Sequence, residues 1–468
     1  MSKQYTDGIF NVSPTHGFLP IKDPLPFLPS TYNDLQTIIN FLPEILTEAD
    51  KIVDSVASIP DYSNNIITES DPFILQALFR AYTFISSAYT LEKSYQLSDK
   101  GAENNGCPHR SSGYGPARRI LPSNIARPLV LVAEKLKVYP WLDYHYAYSL
   151  GNYVKKDRDG SLDWNNLEMA CSFTGGLDEV GFIMLHVYIN ELSPFLIDSI
   201  MNYQESGRDS KYLASVVGVM KNINKRRREM WDASRPERYN DFRVFIMGIK
   251  GNTELFGDGL VYEGCFDDQP QQFRGQTGAQ DNIIPTVDIF SGVVDYYPEN
   301  KLTDYLMDLR TYRPVCIQEF FKDLRKHYSA RPLFLELEKE GDVNGLLYLL
   351  QIVDEIYLFR NGHWNFVQRY IMANTKFENA TGGTPITSWL VNQIDAVLNY
   401  EEKIMLSIDE LRYKLEDENN KIYSELKQTL SNKKNLLLEQ IEEMRTKEYD
   451  VDKIYEKNKE YLLEDKEM

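Results

Sequence analysis

Leu358-Phe359-Arg360-Asn361-Gly362-His363-Trp364-Asn365-Phe366-Val367 lies inside the longest helical pattern of a 468-residue chain. No proline interrupts Gly345 to Ile371, and Leu349, Ile352, Val353, Ile356, Phe359, Phe366 and Tyr370 recur at threes and fours on the face that carries His363. The pattern predicts a core helix with an inward-pointing imidazole. A neutral imidazole is a good iron ligand, and Gly362 beside it removes a side chain where a flat ring would need to approach. A lone histidine on an apolar face is nevertheless more often a satisfied core residue than a ligand, so the rest of the chain has to decide.

Composition narrows the classes. The chain is 43% hydrophobic and 12% aromatic, which describes a globular protein with room for about two or three domains. A formal charge of −18 and a pI near 4.9 argue against nucleic acid as a partner, because nonspecific binding needs a basic surface to displace counterions. Cys107, Cys171, Cys265 and Cys316 are far apart and form no Cys-x-x-Cys pair, so no disulfide framework or zinc knuckle is expected. Met1 to Asn11 lacks the basic cluster and apolar core of a signal peptide, and no run of about 18 uninterrupted apolar residues follows. The expectation is a cytoplasmic protein without a membrane partner.

In chain order, residues 1–30 carry Pro14, Pro20, Pro24, Pro26 and Pro29 and predict an extended arm along a surface. Helical spacing follows over Thr31–Val56 and Asp71–Glu92, the second behind the cap Ser70-Asp71-Pro72. Ser98–Arg119 reads as a loop. Helical patterns return over Pro122–Lys137, Asp163–Met201 and Leu213–Asp232, with a dense aromatic block from Pro140 to Leu150 between the first two. Convincing period-2 strands are almost absent, so the fold class is mainly α.

Three central segments are costly unless they meet something. Arg243 is embedded in Asp241-Phe242-Arg243-Val244-Phe245-Ile246-Met247-Gly248, and a buried guanidinium needs a partner. An internal carboxylate and a ligand carboxylate are both open readings. His186 follows Phe182 by one turn in Gly181-Phe182-Ile183-Met184-Leu185-His186 and, alone, reads as core. Phe273-Arg274-Gly275-Gln276-Thr277-Gly278-Ala279-Gln280 is a small-residue loop without the Gly-Lys-Ser/Thr ending of a nucleotide-binding loop.

Together these segments resemble the indoleamine 2,3-dioxygenase family. The motifs run in the family's order: Ser172-Phe173, Gly181-Phe182, Arg243 into Gly248-Ile249-Lys250-Gly251-Asn252, and Asp258-Gly259-Leu260-Val261-Tyr262-Glu263-Gly264. Phe273 to Gln280, Asp288, Arg360 with His363, and Thr381-Gly382-Gly383-Thr384 complete the series, and the likeness spans roughly residues 30 to 395. The resemblance implies an all-α, two-domain helical fold. Residues 31–150 would form the small domain, and 151–399 the large catalytic domain that holds non-covalent heme b. It implies His363 as the axial iron ligand, Arg360 with Asp288 at the heme propionates, and Gly275, Thr277 and Gly278 as a wall beside the heme. On the substrate side it implies Phe182 over the indole ring, Arg243 at the carboxylate, His186 at the indole N–H, Tyr239 as an aromatic contact, and Thr381, Gly382 and Gly383 as a lid that excludes water. The implied reaction cleaves the indole C2–C3 bond of L-tryptophan with dioxygen to give N-formylkynurenine. The alternatives are another indole or tryptophan derivative on the same fold, and a catalytically weak heme sensor.

Two positions stand apart from the pattern. At His186 the family has serine or histidine, and at Arg238 it usually has an aromatic residue; a polar helix start at Ser234-Arg235-Pro236-Glu237-Arg238 predicts that Arg238 faces solvent, paired with Glu237 or Asp241. Residues 400–468 lie outside the resemblance. Ile404, Ile408, Leu411, Leu415, Ile422 and Leu426, then Leu437, Ile441, Met444 and Val451 after a phase slip, predict an amphipathic helix or helical pair. It either packs back on the body or supports self-association.

Overall fold

The computed structural model describes residues 4–97, 114–299, 301–372, 381 and 386–446, so most of the expected loop Ser98–Arg119 lies outside the described residues. The fold is all-α. Among the described residues, strands form only short pairs: β1 (Tyr5–Thr6) with β2 (Asn11–Val12), β4 (Tyr153–Lys155) antiparallel to β5 (Leu167–Met169), and β3 (Ile120–Leu121) parallel to β6 (Val261–Tyr262). The principal helices are α1 (Asn33–Asn40), α2 (Pro72–Gln96), α3 (Ser123–Leu136), α4 (Leu177–Asn190), α5 (Ser193–Glu205) and α6 (Lys211–Arg228). They continue with α7 (Ile283–Ser291), α8 (Val315–Ala330), α9 (Val343–Phe366), α10 (Ile386–Leu411) and α11 (Asp417–Thr446).

α2 begins where the sequence predicts. The Asp71 carboxylate accepts from the Phe73 and Ile74 amides at 2.8 and 3.3 Å, and Pro72 occupies a first-turn position where no amide is needed. The helix is buried on most of its circumference, so its polar side chains need protein partners. Gln76 and Arg80 both donate to the Gly151 carbonyl at 2.7 Å, which ties α2 to the aromatic block. That block is a π-helical turn, Tyr144–Tyr148, started by Asp143, whose side chain accepts from the Tyr146 and Ala147 amides.

α9 is the axis of the C-terminal half, packed between α6 and α10. Asp342 caps it through the Gly345 amide at 2.9 Å, and at its far end the helix widens into a π-helical turn, Val367–Met372. The extra residue in that turn helps bring Val367, Tyr370 and Ile371 to one cavity wall.

Two expectations are corrected. The arm is extended but its apolar residues Ile9, Phe10 and Phe18 are buried, because β1 and β2 pack against α8 rather than lying over a surface. Asp163–Met201 is not one helix: Asp163 caps a short 3-10 turn, β5 follows, and the helix starts only after the glycine pair Gly175-Gly176. Beyond residue 400 the chain forms a helical pair, one of the two expected forms: it turns at Arg412–Lys414 and α11 runs back antiparallel along α10. Lys433 of α11 is buried between Asp354 of α9 (2.5 Å) and Glu401 of α10 (2.9 Å). Residues 447–468 lie outside the described residues.

The stretch Leu177–Glu205 is long and apolar enough to cross a membrane by length and composition alone. It is two helices broken near Pro194, and its apolar content is used in the protein core and a cavity wall.

Candidate active site

Two adjoining cavities, about 1290 and 690 Å³ including their mouths, meet at Gly278, Asp281, Phe359 and His363. α9 places His363 one turn after Phe359, and the surface His363 leaves open is cavity surface. Burial, with Arg227 and His186 nearby, pushes its imidazolium down to about 4, so near pH 7 the ring is neutral with a lone pair available. Among the described residues no three His, Cys, Asp or Glu side chains converge on a metal position. One imidazole in a large cavity therefore suits an iron whose other ligands come with a macrocycle.

The smaller cavity has the charge a macrocycle with carboxylate arms needs. Arg310, Arg313 and Arg360 line it against Asp281 and Asp288. Arg360 donates to Asp288 at 2.7 Å, to the Tyr297 hydroxyl at 3.0 Å and to the Gln393 carbonyl of α10 at 2.9 Å. Tyr297 also donates to Asp288. Burial pushes the Asp288 carboxyl up against the pull of Arg360. Arg313, fully enclosed, donates to Asn282 and to the Ala279 and Asp281 carbonyls. This lining is chemically compatible with a heme b: His363 could hold the iron, and the Arg310, Arg313 and Arg360 guanidinium groups stand in the cavity where carboxylate arms would need cations.

His186, on α4, lines the larger cavity and carries a relay behind it. Its Nδ1 lies 3.3 Å from the Tyr144 hydroxyl, which donates to Asp281 at 2.9 Å; Asn190 donates to the same carboxylate oxygen at 2.7 Å. Because the Tyr144 proton goes to Asp281, the Tyr144 oxygen can only accept from His186. Nδ1 then carries the proton and Nε2 keeps its lone pair. Burial lowers the His186 pKa against the pull of Asp281, so the ring is neutral near pH 7.

Phe182 stands in the wall beside His186, with ring centroids 6.2 Å apart, and packs on Tyr239 at 4.9 Å and Tyr370 at 5.9 Å. Tyr239 lines the cavity, and burial raises its pKa to about 12. Arg238 is half exposed and pairs with Asp241 at 2.7 Å, as its polar surroundings predict. Arg243 is fully buried and reaches the Tyr114 hydroxyl at 3.4 Å, yet it is not among the residues lining the two cavities. Thr277, Gly278 and Thr381 do line the larger cavity. Gly275 does not: a Cβ there would lie 2.5 Å from the Gly248 amide nitrogen, so its small size serves close backbone packing. Gly382 and Gly383 lie outside the described residues.

Gly362 has a different use from the expected one. A Cβ there would lie 2.0 Å from Nη1 of Arg227, so the space is filled by a guanidinium from α6 rather than left for a flat ring. Arg227, Tyr144, Asp281, Arg310 and Arg313 all escaped the sequence reading. Tyr144 sat in a noted aromatic block and Asp281 directly follows the noted loop, but Arg227 belongs to the basic run Lys225–Arg228, which reads as a solvated helix end favoured by the dipole.

A sequence profile of the family described as Indoleamine 2,3-dioxygenase matches residues 7–403. The chain is 26% identical over 392 residues to indoleamine 2,3-dioxygenase 1 of Rattus norvegicus, covering 78% of this chain and 89% of that one. It is 25% identical over 413 residues to indoleamine 2,3-dioxygenase 2 of Homo sapiens (83% and 94%), and 24% identical over 390 residues to indoleamine 2,3-dioxygenase of Saccharomyces cerevisiae (77% and 79%). An all-helical enzyme with a histidine at the junction of two cavities is thus defined, and the chain belongs to the indoleamine 2,3-dioxygenase family.

Proposed function

We propose that the protein is a heme-dependent dioxygenase that opens the indole C2–C3 bond of L-tryptophan, adding both atoms of dioxygen to give N-formylkynurenine. The observation that carries this reading is the larger cavity, where His363 and a relay-held His186 share one space with an aromatic wall. When bound, heme supplies the oxygen chemistry that no side chain can. Phe182, Tyr239 and Tyr370 offer faces that orient a flat bicyclic ring. Nε2 of His186 is left able to accept the indole N–H, and the Tyr144–Asp281 relay holds it in that tautomer. Arg243, buried against Tyr114 outside the linings of the two cavities, is assigned to the substrate carboxylate on the family resemblance, with Thr381 of the larger cavity toward the amino-acid end.

The test is to load the full chain with hemin, reduce it, and supply L-tryptophan and oxygen. N-formylkynurenine is the expected product, and turnover of a different indole in its place would overturn the assignment. Arg243→Lys keeps the charge but loses the two-point fork, a difference of roughly 1.5 to 3 kcal/mol, so use of tryptophan should fall about 10- to 100-fold. Tryptamine, lacking the carboxylate, should lose a similar factor in the parent. Equal use of tryptamine and tryptophan would leave Arg243 a structural residue.

The relay makes a separate prediction. The parent should use 1-methyltryptophan poorly, and His186→Ser should tolerate it better, since the methyl group meets no ring. Tyr144→Phe removes the acceptor that fixes the tautomer and should lower kcat/KM for tryptophan roughly 2- to 10-fold, the range of one hydrogen bond, with the heme spectrum unchanged. Equal parent turnover of the methylated and plain substrates would show that His186 does not read the indole nitrogen.

A further inference from the structure

α11 begins at Asp417, beyond residue 403 where the family match ends, yet its Tyr423 and Leu437 are buried in the common core. The ion pairs it makes with the body, among the described residues, have one sense: lysines of α11 meet acids of α9 and α10. Lys427 with Asp409 and Lys434 with Glu402 are partly exposed. Lys433 is enclosed between Asp354 of α9 at 2.5 Å and Glu401 of α10 at 2.9 Å, its Nζ 4.7 Å from the Tyr357 ring centroid. This bridge and Arg360 join α9 to α10 at neighbouring levels, since Arg360 of α9 donates to the Gln393 carbonyl of α10 at 2.9 Å and both residues line the smaller cavity. Asp354 precedes Arg360 by six residues, about 9 Å of helix, and Glu401 follows Gln393 by eight, about 12 Å.

We infer that Lys433 is a positioning residue of the cofactor site: from beyond the family's span it holds α10 against α9 and so keeps the Gln393 carbonyl on Arg360, an arginine assigned to the heme carboxylates. This rests on the heme reading above. A buried carboxylate that loses its cation is costly, and Lys433 serves two. Without it Asp354 and Glu401 would face each other across the interface. Letting water in or parting the helices relieves that, and either change falls about two turns from the Arg360–Gln393 contact. Arg360 is held from three directions, by Asp288, the Tyr297 hydroxyl and the Gln393 carbonyl, so losing the third frees its fork to turn. Groups that orient a cofactor's contacts in this way set its affinity.

The experiment is a hemin titration of the full chain, followed in the Soret band, beside Lys433→Met, Lys433→Arg and Lys434→Met, with a resonance Raman spectrum of each loaded protein. Lys433→Met should bind hemin about 10-fold more weakly, the low end for such orienting groups, and should move the propionate-bending band that reports the Arg360 contact. Lys433→Arg keeps a cation between the acids and should stay within about threefold of the parent, as should Lys434→Met, whose ion pair is partly exposed. An unchanged affinity or an unmoved band in Lys433→Met, or an equal loss in Lys434→Met, overturns the inference and leaves α11 a stabilising appendage. Should Lys433→Met fail to fold, Asp354→Asn decides, because it cuts the α9 half of the bridge and leaves Lys433 paired with Glu401. Weaker hemin binding with a moved band supports the role, and two unchanged readings reject it. A parent that takes up no hemin rejects the heme reading itself, whereas a parent that binds hemin beside an unchanged Lys433→Met rejects the role of Lys433 alone.

Discussion

His363→Ala should lose tight heme binding. His363 is the imidazole at the meeting of the two cavities, it is neutral near pH 7, and among the described residues no cluster of ligating side chains stands ready to replace it. Loss of groups that merely support a metal ligand typically weakens metal affinity 10- to 100-fold, so loss of the ligand itself should exceed about 100-fold. Titration with hemin, followed in the Soret band, gives the number. The alanine also leaves an imidazole-sized gap, so added imidazole should restore a histidine-like spectrum to the variant. An unchanged spectrum in His363→Ala without imidazole would place the iron elsewhere and remove the basis of the functional reading.

Asp288→Ala should cost about 3 to 5 kcal/mol of stability, because it strands the Arg360 guanidinium in an enclosed site after removing its carboxylate partner. The Tyr297 hydroxyl and the Gln393 carbonyl would remain as neutral partners and cannot balance the charge. Asp288→Asn keeps an acceptor and should lose less. Replacing both members, Asp288→Leu with Arg360→Met, should recover much of the loss, since a buried pair removed whole leaves no orphaned charge. The shift of the denaturant midpoint of the ligand-free protein is the measurement. A loss below about 1 kcal/mol for Asp288→Ala would mean that the pair behaves as if water reached it.

The helical period of Gly345–Ile371 and the cap at Asp71 were readable because local spacing and first-turn chemistry determine them. The placement of Arg238 was readable for a similar reason: a proline-led polar turn carries its own partner, Asp241, three residues on. What failed was information held by neighbours distant in sequence. Asp163 looks like the start of a long helix until the pairing of β5 with β4 is known. Gly362 looks like room for a ring until α6 is laid against α9 and Arg227 fills the space. Gly275 and Gly248 occur in motifs 27 positions apart, and only the fold shows that each is small because of the other's backbone. The His186–Tyr144–Asp281 relay joins three segments across 137 positions, which no single window contains.

The buried N-terminal arm sets an order of events on the ribosome. Tyr5 donates to Asp323 at 3.1 Å across 318 positions, its ring meets Phe320 edge-on at 5.5 Å, and Phe18 meets the same ring at 6.1 Å. The arm is made before α8 and therefore waits for it. At ordinary elongation rates that interval is about a quarter of a minute to a minute. During it, Ile9, Phe10 and Phe18 cannot complete their final packing, which makes the nascent arm a natural binding site for chaperones and makes its docking a late step of folding.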